Sequence, residues 1–277
     1  MKKIFGVMLC VCFTMSMSTF AQIGPQGYNP NSVRPILEDD VMYRTTVLRK
    51  INLLEKQNKP FFALENEITA VIKEGVKDKK LQPYVPKASP RDAGFSEPMI
   101  DTAFLNKFTY FSSAVSANAT LRPSEVYILE VKEDLIFDRR RSRMYWDIQS
   151  VTIYIPQGTT PSSDLGDEAM ATFKYKDLYE YFKTTYDSSQ LKGTFEDLRA
   201  HWYNPENPKQ HKSLADAFEL RLFSSRITKV SNPDDKDIVV IINDEFGDSP
   251  QAAKKVLYES QKIEYNLMEF EHNMWEF

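Results

Sequence analysis

Three histidines, His201, His211 and His272, come first in any search for chemistry, because imidazole is the usual metal ligand and proton carrier near neutral pH. None has a second histidine four residues away, the spacing that sets two imidazoles on one helix face, so a helical zinc site is not expected. A hydrolytic triad needs a serine on a sharp turn, and no serine lies in a G-x-S-x-G frame. Carboxylates offer more. Glu133, Asp134 and Asp138 sit close together, and a carboxylate pair could serve as acid and base toward a glycosidic bond. On an extended strand, however, Glu133 and Asp134 point to opposite faces, which favours solvated strand-end charges. The densest charge is the run "DRRRSR", with Arg139, Arg140, Arg141 and Arg143. Four guanidinium groups repel one another and suit carboxylates or phosphates from outside, so this turn is either a plain surface loop or an assembly contact. Arg221 and Arg226, around "LFSS", are expected in local ion pairs.

The elements that must position these groups can be read from periodicity. Residues 126–137 and 144–155 are β-rich runs joined by the arginine link, which predicts a hairpin. In the second run Met144, Trp146 and Ile148 share one face while Val151, Ile153 and Ile155 share the other. A bulge near Gln149 and Ser150, or burial on both faces, accounts for the slip. Asp39 and Asp40 are expected to cap a helix bearing Val41, Val47, Leu48, Ile51 and Leu54, with Pro60 ending it. A second helix carries Leu64, Ile68, Val71 and Ile72, with Gly75 as terminator. Residues 77–98, rich in lysine and proline, read as an extended loop or hinge. Residues 169–175 read as a strand, after which Asp177 caps a helix with Leu178, Tyr181 and Phe182. Ser213 caps another that carries Leu214, Ala217, Phe218, Leu222 and Phe223. Strands are expected at residues 227–230 and 239–242, and Ser249-Pro250 opens a last helix, with proline in the first turn where its missing N–H costs nothing. Together these give an α+β fold, with mixed helices packed on a mainly antiparallel sheet and a long C-terminal helix.

Composition bounds the function. With 42% hydrophobic and 27% charged residues, a chain of 277 residues can bury a substantial core. Only 9 glycines are present, too few for many phosphate-cradling loops or strained catalytic turns. Lys2 and Lys3, an apolar run from Ile4 to Met15, and Thr19-Phe20-Ala21 predict an export signal cleaved after Ala21. The run is too short to span a bilayer. Cys10 and Cys12 both lie within it, so the mature chain is expected to have no disulfide and no thiolate-bound zinc. Removing Lys2 and Lys3 takes the formal charge from −4 to about −6, which argues against nucleic acid as a partner. Residues 22–35 read as a flexible leader, and residues 36–277 as one folded domain.

The end of the chain, "NLMEFEHNMWEF", is crowded with large apolar residues where chain ends usually tolerate polar ones. Val256, Ser260, Ile263, Leu267, Phe270, Met274 and Phe277 form a stripe in steps of four and three, fit to pack on the protein's own sheet or on a partner. Trp275 lies off the stripe, as an exposed anchor would.

Three blocks, "RPILEDDVMYRTTVLRKINLLEKQNKPFF", "VKEDLIFDRRRSRMYWDIQSVTIY" and "RLFSSRITKVSNPDDKDI", together with the terminal E-H-N-x-W-E-aromatic pattern, resemble the gliding-motility family GldN, called PorN in non-gliding relatives. The resemblance implies a non-enzymatic periplasmic component of the type IX secretion system of Bacteroidota, without cofactors. It implies partners too: the outer-membrane lipoprotein GldK/PorK, with further copies of the chain in a ring, and other secretion subunits. The resemblance supplies no catalytic residues. Interface candidates are therefore Arg139, Arg140, Arg141, Arg143, Trp275 and Phe277. The alternative is a secreted hydrolase or carbohydrate-binding protein using Asp134 or Asp138.

Overall fold

A computed structural model describes residues 27–274 apart from 35, 87–94, 113–116, 192–197, 208 and 248. The expected export signal and the candidates Trp275 and Phe277 lie outside the described residues. In chain order the strands are β1 (Val41–Asn52), β2 (Phe62–Ala63), β3 (Asn66–Glu67), β4 (Thr109–Ser112), β5 (Ala117–Thr120), β6 (Ile128–Asp138), β7 (Arg143–Ile155), β8 (Glu168–Lys174), β9 (His201–Trp202), β10 (Lys212–Ser213) and β11 (Arg226–Val230). The helices are α1 (Ile68–Lys77), α2 (Asp101–Asn106), α3 (Tyr175–Gln190), α4 (Leu214–Glu219), α5 (Ile238–Phe246) and α6 (Pro250–Asn273). The fold is α+β, built on a five-stranded antiparallel sheet in the order β11-β1-β6-β7-β8.

The hairpin β6–β7 forms as its sequence predicts, with the bulge in the expected place. Lys132 pairs with Ser150 and Glu133 with Ile148, leaving Gln149 as the extra residue. That one insertion returns Val151 and Ile153 to the face that carries Ile148 and Trp146, so both halves of β7 point into the core. Ser213 and Ser249 cap their helices as expected, accepting bonds from the backbone N–H groups of Asp216 and Ala252.

Residues 41–52, expected as a helix, are instead β1. Their apolar positions happen to fit a helical spacing, but Thr45, Thr46, Val47 and Ile51 are β-branched, and hydrogen-bonded ladders to β6 and β11 decide the outcome. The run at residues 239–242 is helical rather than extended. Ile238 and Ile242, one turn apart, are buried, whereas Val239, Val240 and Ile241 stay exposed. Gly75 does not end a helix but lies inside α1, where a Cβ would meet Leu81 Cδ1 at 2.6 Å and the Tyr181 ring at 2.9 Å; Leu64 precedes the helix and is exposed. Asp177 falls in the first turn of α3, which starts two residues earlier and has Lys174 at its N-cap. α4 stops at Glu219, and Leu222 and Phe223 follow it in irregular backbone. Of the expected leader, Ser32 is buried and donates to Asp147, 2.7 Å away, so this stretch is fixed to the sheet.

One face of the sheet is covered in two parts. α1, α3 and α4 close the β6–β8 half over a large apolar cluster that includes Phe61, Phe104, Phe173, Phe182 and Phe218. α5 and α6 close the β11–β1 half over a small one of Val47, Ile227, Ile238, Ile242 and Ala252, with Val256, Ile263 and Leu267 packed against it. From Val256 to Leu267 the stripe on the last helix thus lies on the protein's own sheet, while Phe277 lies outside the described residues.

Candidate functional site

The two apolar clusters meet at a seam of charge. Glu133, fully buried on β6, accepts from Arg49 Nε on β1 and from Arg221, whose Nη1 lies 2.6 Å away. Arg49 Nη1 also reaches Glu264 on α6 at 2.9 Å. Both guanidinium groups lie over the Trp146 ring, at 4.6 and 4.9 Å from its centroid. Two cations meet two anions here, so the burial of charge is offset by pairing. Beside the seam is a cavity of about 150 Å³ lined by Arg34, Met144, Trp146, Ile148, Phe218, Glu219 and Arg221. Two of its lining residues, Arg34 and Glu219, pair at 3.0 Å, and Tyr175 donates to Glu219. Guanidinium groups do not exchange protons near neutral pH, so the seam suits fastening α6 to the sheet rather than acid–base work.

The three sequence carboxylates are not brought together. Glu133 faces the seam, where it is buried rather than solvated. Asp134, on the opposite face, accepts from Thr46 Oγ1 at 2.7 Å and lies 3.7 Å from Arg44; burial raises its pKa in spite of both partners. Asp138 ends β6, and its buried carboxylate accepts from the backbone N–H groups of Arg140 and Arg141 and from Arg141 Nη1 at 2.9 Å. Burial alone would raise that carboxyl, but these bonds hold it below its ordinary value. Asp138 thus shapes the turn. Asp147, directly across from Asp134, was not singled out in the sequence. Burial pushes it up to about 6 against hydrogen bonds from Ser32 and Gln149, while the charges of Asp134 and Glu219 add to the rise.

Arg141 is occupied by Asp138, and Ser142 takes a positive φ of 49° to close the turn. Arg139, Arg140 and Arg143 project as exposed side chains, and among the described residues none is their ion-pair partner. Arg221 is paired, though with Glu133 far along the chain rather than with a neighbour; Arg226 lies 3.9 Å from Glu55.

Histidine chemistry has one feature the spacing hid. His201 and His211 stack with ring centroids 4.9 Å apart, because β9 pairs with β10. Burial and the neighbouring His211 lower His201 to about 4, and burial lowers His211. His272 is on α6, exposed. Among the described residues no three His, Cys, Asp or Glu side chains are grouped to hold a metal ion.

Across this whole arrangement, from Ile36 before β1 to the residues after α6, the family model described as "Gliding motility associated protein GldN" matches residues 36–276. The chain belongs to the GldN family. No curated protein matches it. For a GldN-family chain the geometry is informative: its charged residues of β6 and the arginine turn serve the fold or project to the surface. Among the described residues, no helix is long and apolar enough to cross a membrane.

Proposed function

We propose that this chain is a non-catalytic structural component of the type IX secretion system and gliding apparatus. It acts in the periplasm, where it joins a ring with the outer-membrane lipoprotein GldK/PorK through repeated contacts between copies. The observation that carries this is the family match over nearly the whole folded chain. The seam supports it, because Glu133, a candidate for carboxylate chemistry, is committed to holding a helix in place. The exposed Arg139, Arg140 and Arg143 are the proposed contact to the lipoprotein, with Trp275 and Phe277 as further anchors.

A tagged chain isolated from envelopes is expected to bring the lipoprotein with it. Reversing Arg139, Arg140 and Arg143 to glutamate should remove the lipoprotein while leaving the chain folded. Unchanged co-isolation would dispose of the arginine contact; a tagged wild-type chain that comes out free of lipoprotein would overturn the function itself.

A further inference from the structure

α6 has a second apolar face that nothing among the described residues covers. Its inward side holds Ala252, Val256, Ser260, Ile263 and Leu267 against the β11–β1 half. Leu257, Tyr258, Tyr265 and Met268 are 39%, 64%, 63% and 57% exposed. At 100° per residue these four fall within one sector about 100° wide, nearly opposite the inward stripe. Tyr258, Gln261, Tyr265, Met268 and His272 follow in steps of three, four, three and four, the spacing of a helix-pairing seam. A solvent-facing helix side needs no such pattern.

The charges beside this seam name the occupant. On one border Lys255, Lys262 and Glu269 recur every seven residues and change sign along the helix. We propose that the outward face of α6 docks antiparallel on the same face of a second copy of this chain. Tyr265 then packs on the partner copy's Met268, Gln261 meets His272, and Lys262 faces Glu269 twice across the two-fold axis. Glu264 and Glu271 meet on the other border, where Arg49 already neutralises Glu264 at 2.9 Å. A parallel pairing would instead set Glu264 against Glu269. The antiparallel arrangement also opposes the two helix dipoles. Lys262 bonds Glu259 one turn back at 3.3 Å, an exposed pair weak enough to be exchanged. This surface is distinct from the arginine turn, and its pairing is independent of the lipoprotein ring.

Sedimentation of the purified protein over a range of concentrations tests it. A reversible dimer is expected, and Tyr265→Asp should abolish it without changing the thermal midpoint at concentrations where the wild-type chain is monomeric, since the side chain is mostly exposed. Lys262→Glu and Glu269→Lys should each weaken association roughly fivefold, because two symmetry-related pairs become repulsive, and the double variant should restore it. A monomer at every concentration, a dimer indifferent to Tyr265→Asp, or a double variant no better than the singles would overturn the proposal. Binding of lipid vesicles through this face without self-association would also overturn it.

Discussion

The two halves of the sheet are covered in different ways. Over β6–β8, aromatic rings interlock: Phe104 meets Phe108 and Phe173 at 5.4 and 5.5 Å, and Phe61 meets Phe218 at 5.3 Å. Over β11–β1 the buried apolar cluster has only five residues, with partly buried Val256, Ile263 and Leu267 of α6 packed against it, and the Arg49–Glu264 pair and the Tyr43–Phe270 contact add to the hold. Of the 24 residues of α6 only Ala252 and Ser260 are buried. One half is a core; the other is a latched helical cap whose outer surface remains available. Directionless apolar packing suits the part that must not move, and a directional ion-pair seam fixes one orientation of the part proposed to meet a second copy.

The largest expected effect comes where the halves join. Glu133→Ala leaves Arg49 buried without its main partner and should cost about 3–5 kcal/mol in denaturant unfolding. Phe182→Ala, inside the aromatic half, should cost a similar ~3–5 kcal/mol through its cavity. The two should differ in kind. Hydrogen exchange should show loss of protection led by α5 and α6 for Glu133→Ala, and spread over α1, α3 and β6–β8 for Phe182→Ala. Identical patterns would erase the distinction between core and cap.

Acidity gives the next effect. Because burial raises the Asp147 carboxyl from 3.8 to about 6, between about pH 4 and 6 the folded chain keeps a proton that the unfolded chain has released. Stability should therefore fall as pH rises through that window, by at most about 3 kcal/mol, and the contribution is lost above it. Asp147→Asn should flatten that slope and stabilise the protein at pH 7, as read from thermal midpoints across pH.

Gly75→Ala should cost about 1–3 kcal/mol, since Leu81 and the Tyr181 ring leave no room for a methyl group in the dense half. The smallest effect should be Glu264→Gln. Glu264 is nearly half exposed, so less than about 1 kcal/mol of global stability is expected, with faster exchange confined to α6.

Both halves were legible in the sequence wherever neighbours along the chain decide the structure. The β6–β7 hairpin, the bulge at Gln149 and the serine caps at 213 and 249 all rest on local periodicity or local hydrogen bonds. β1 was hidden because Val47, Leu48, Ile51 and Leu54 satisfy a helical spacing by coincidence, while its strand state comes from partners about 85 and 180 residues away. α5 was hidden by four apolar residues in a row, which read as a buried strand although most of them face outward. The seam showed only in part: Arg221 reads as ion-paired, but with a neighbour, and Glu133 as a solvated carboxylate. Arg49, Glu133, Arg221 and Glu264 come from four separate parts of the chain, and a lone arginine or glutamate in a sequence does not announce a buried partner.

Hydrogen exchange on the isolated chain and on the particle extracted from envelopes tests the central claim, that this molecule works through surfaces that hold neighbours. A particle much heavier than one chain is expected, with added protection at residues 257–272 and 139–143. A free single chain, or a particle whose exchange at both segments is unchanged, would contradict it.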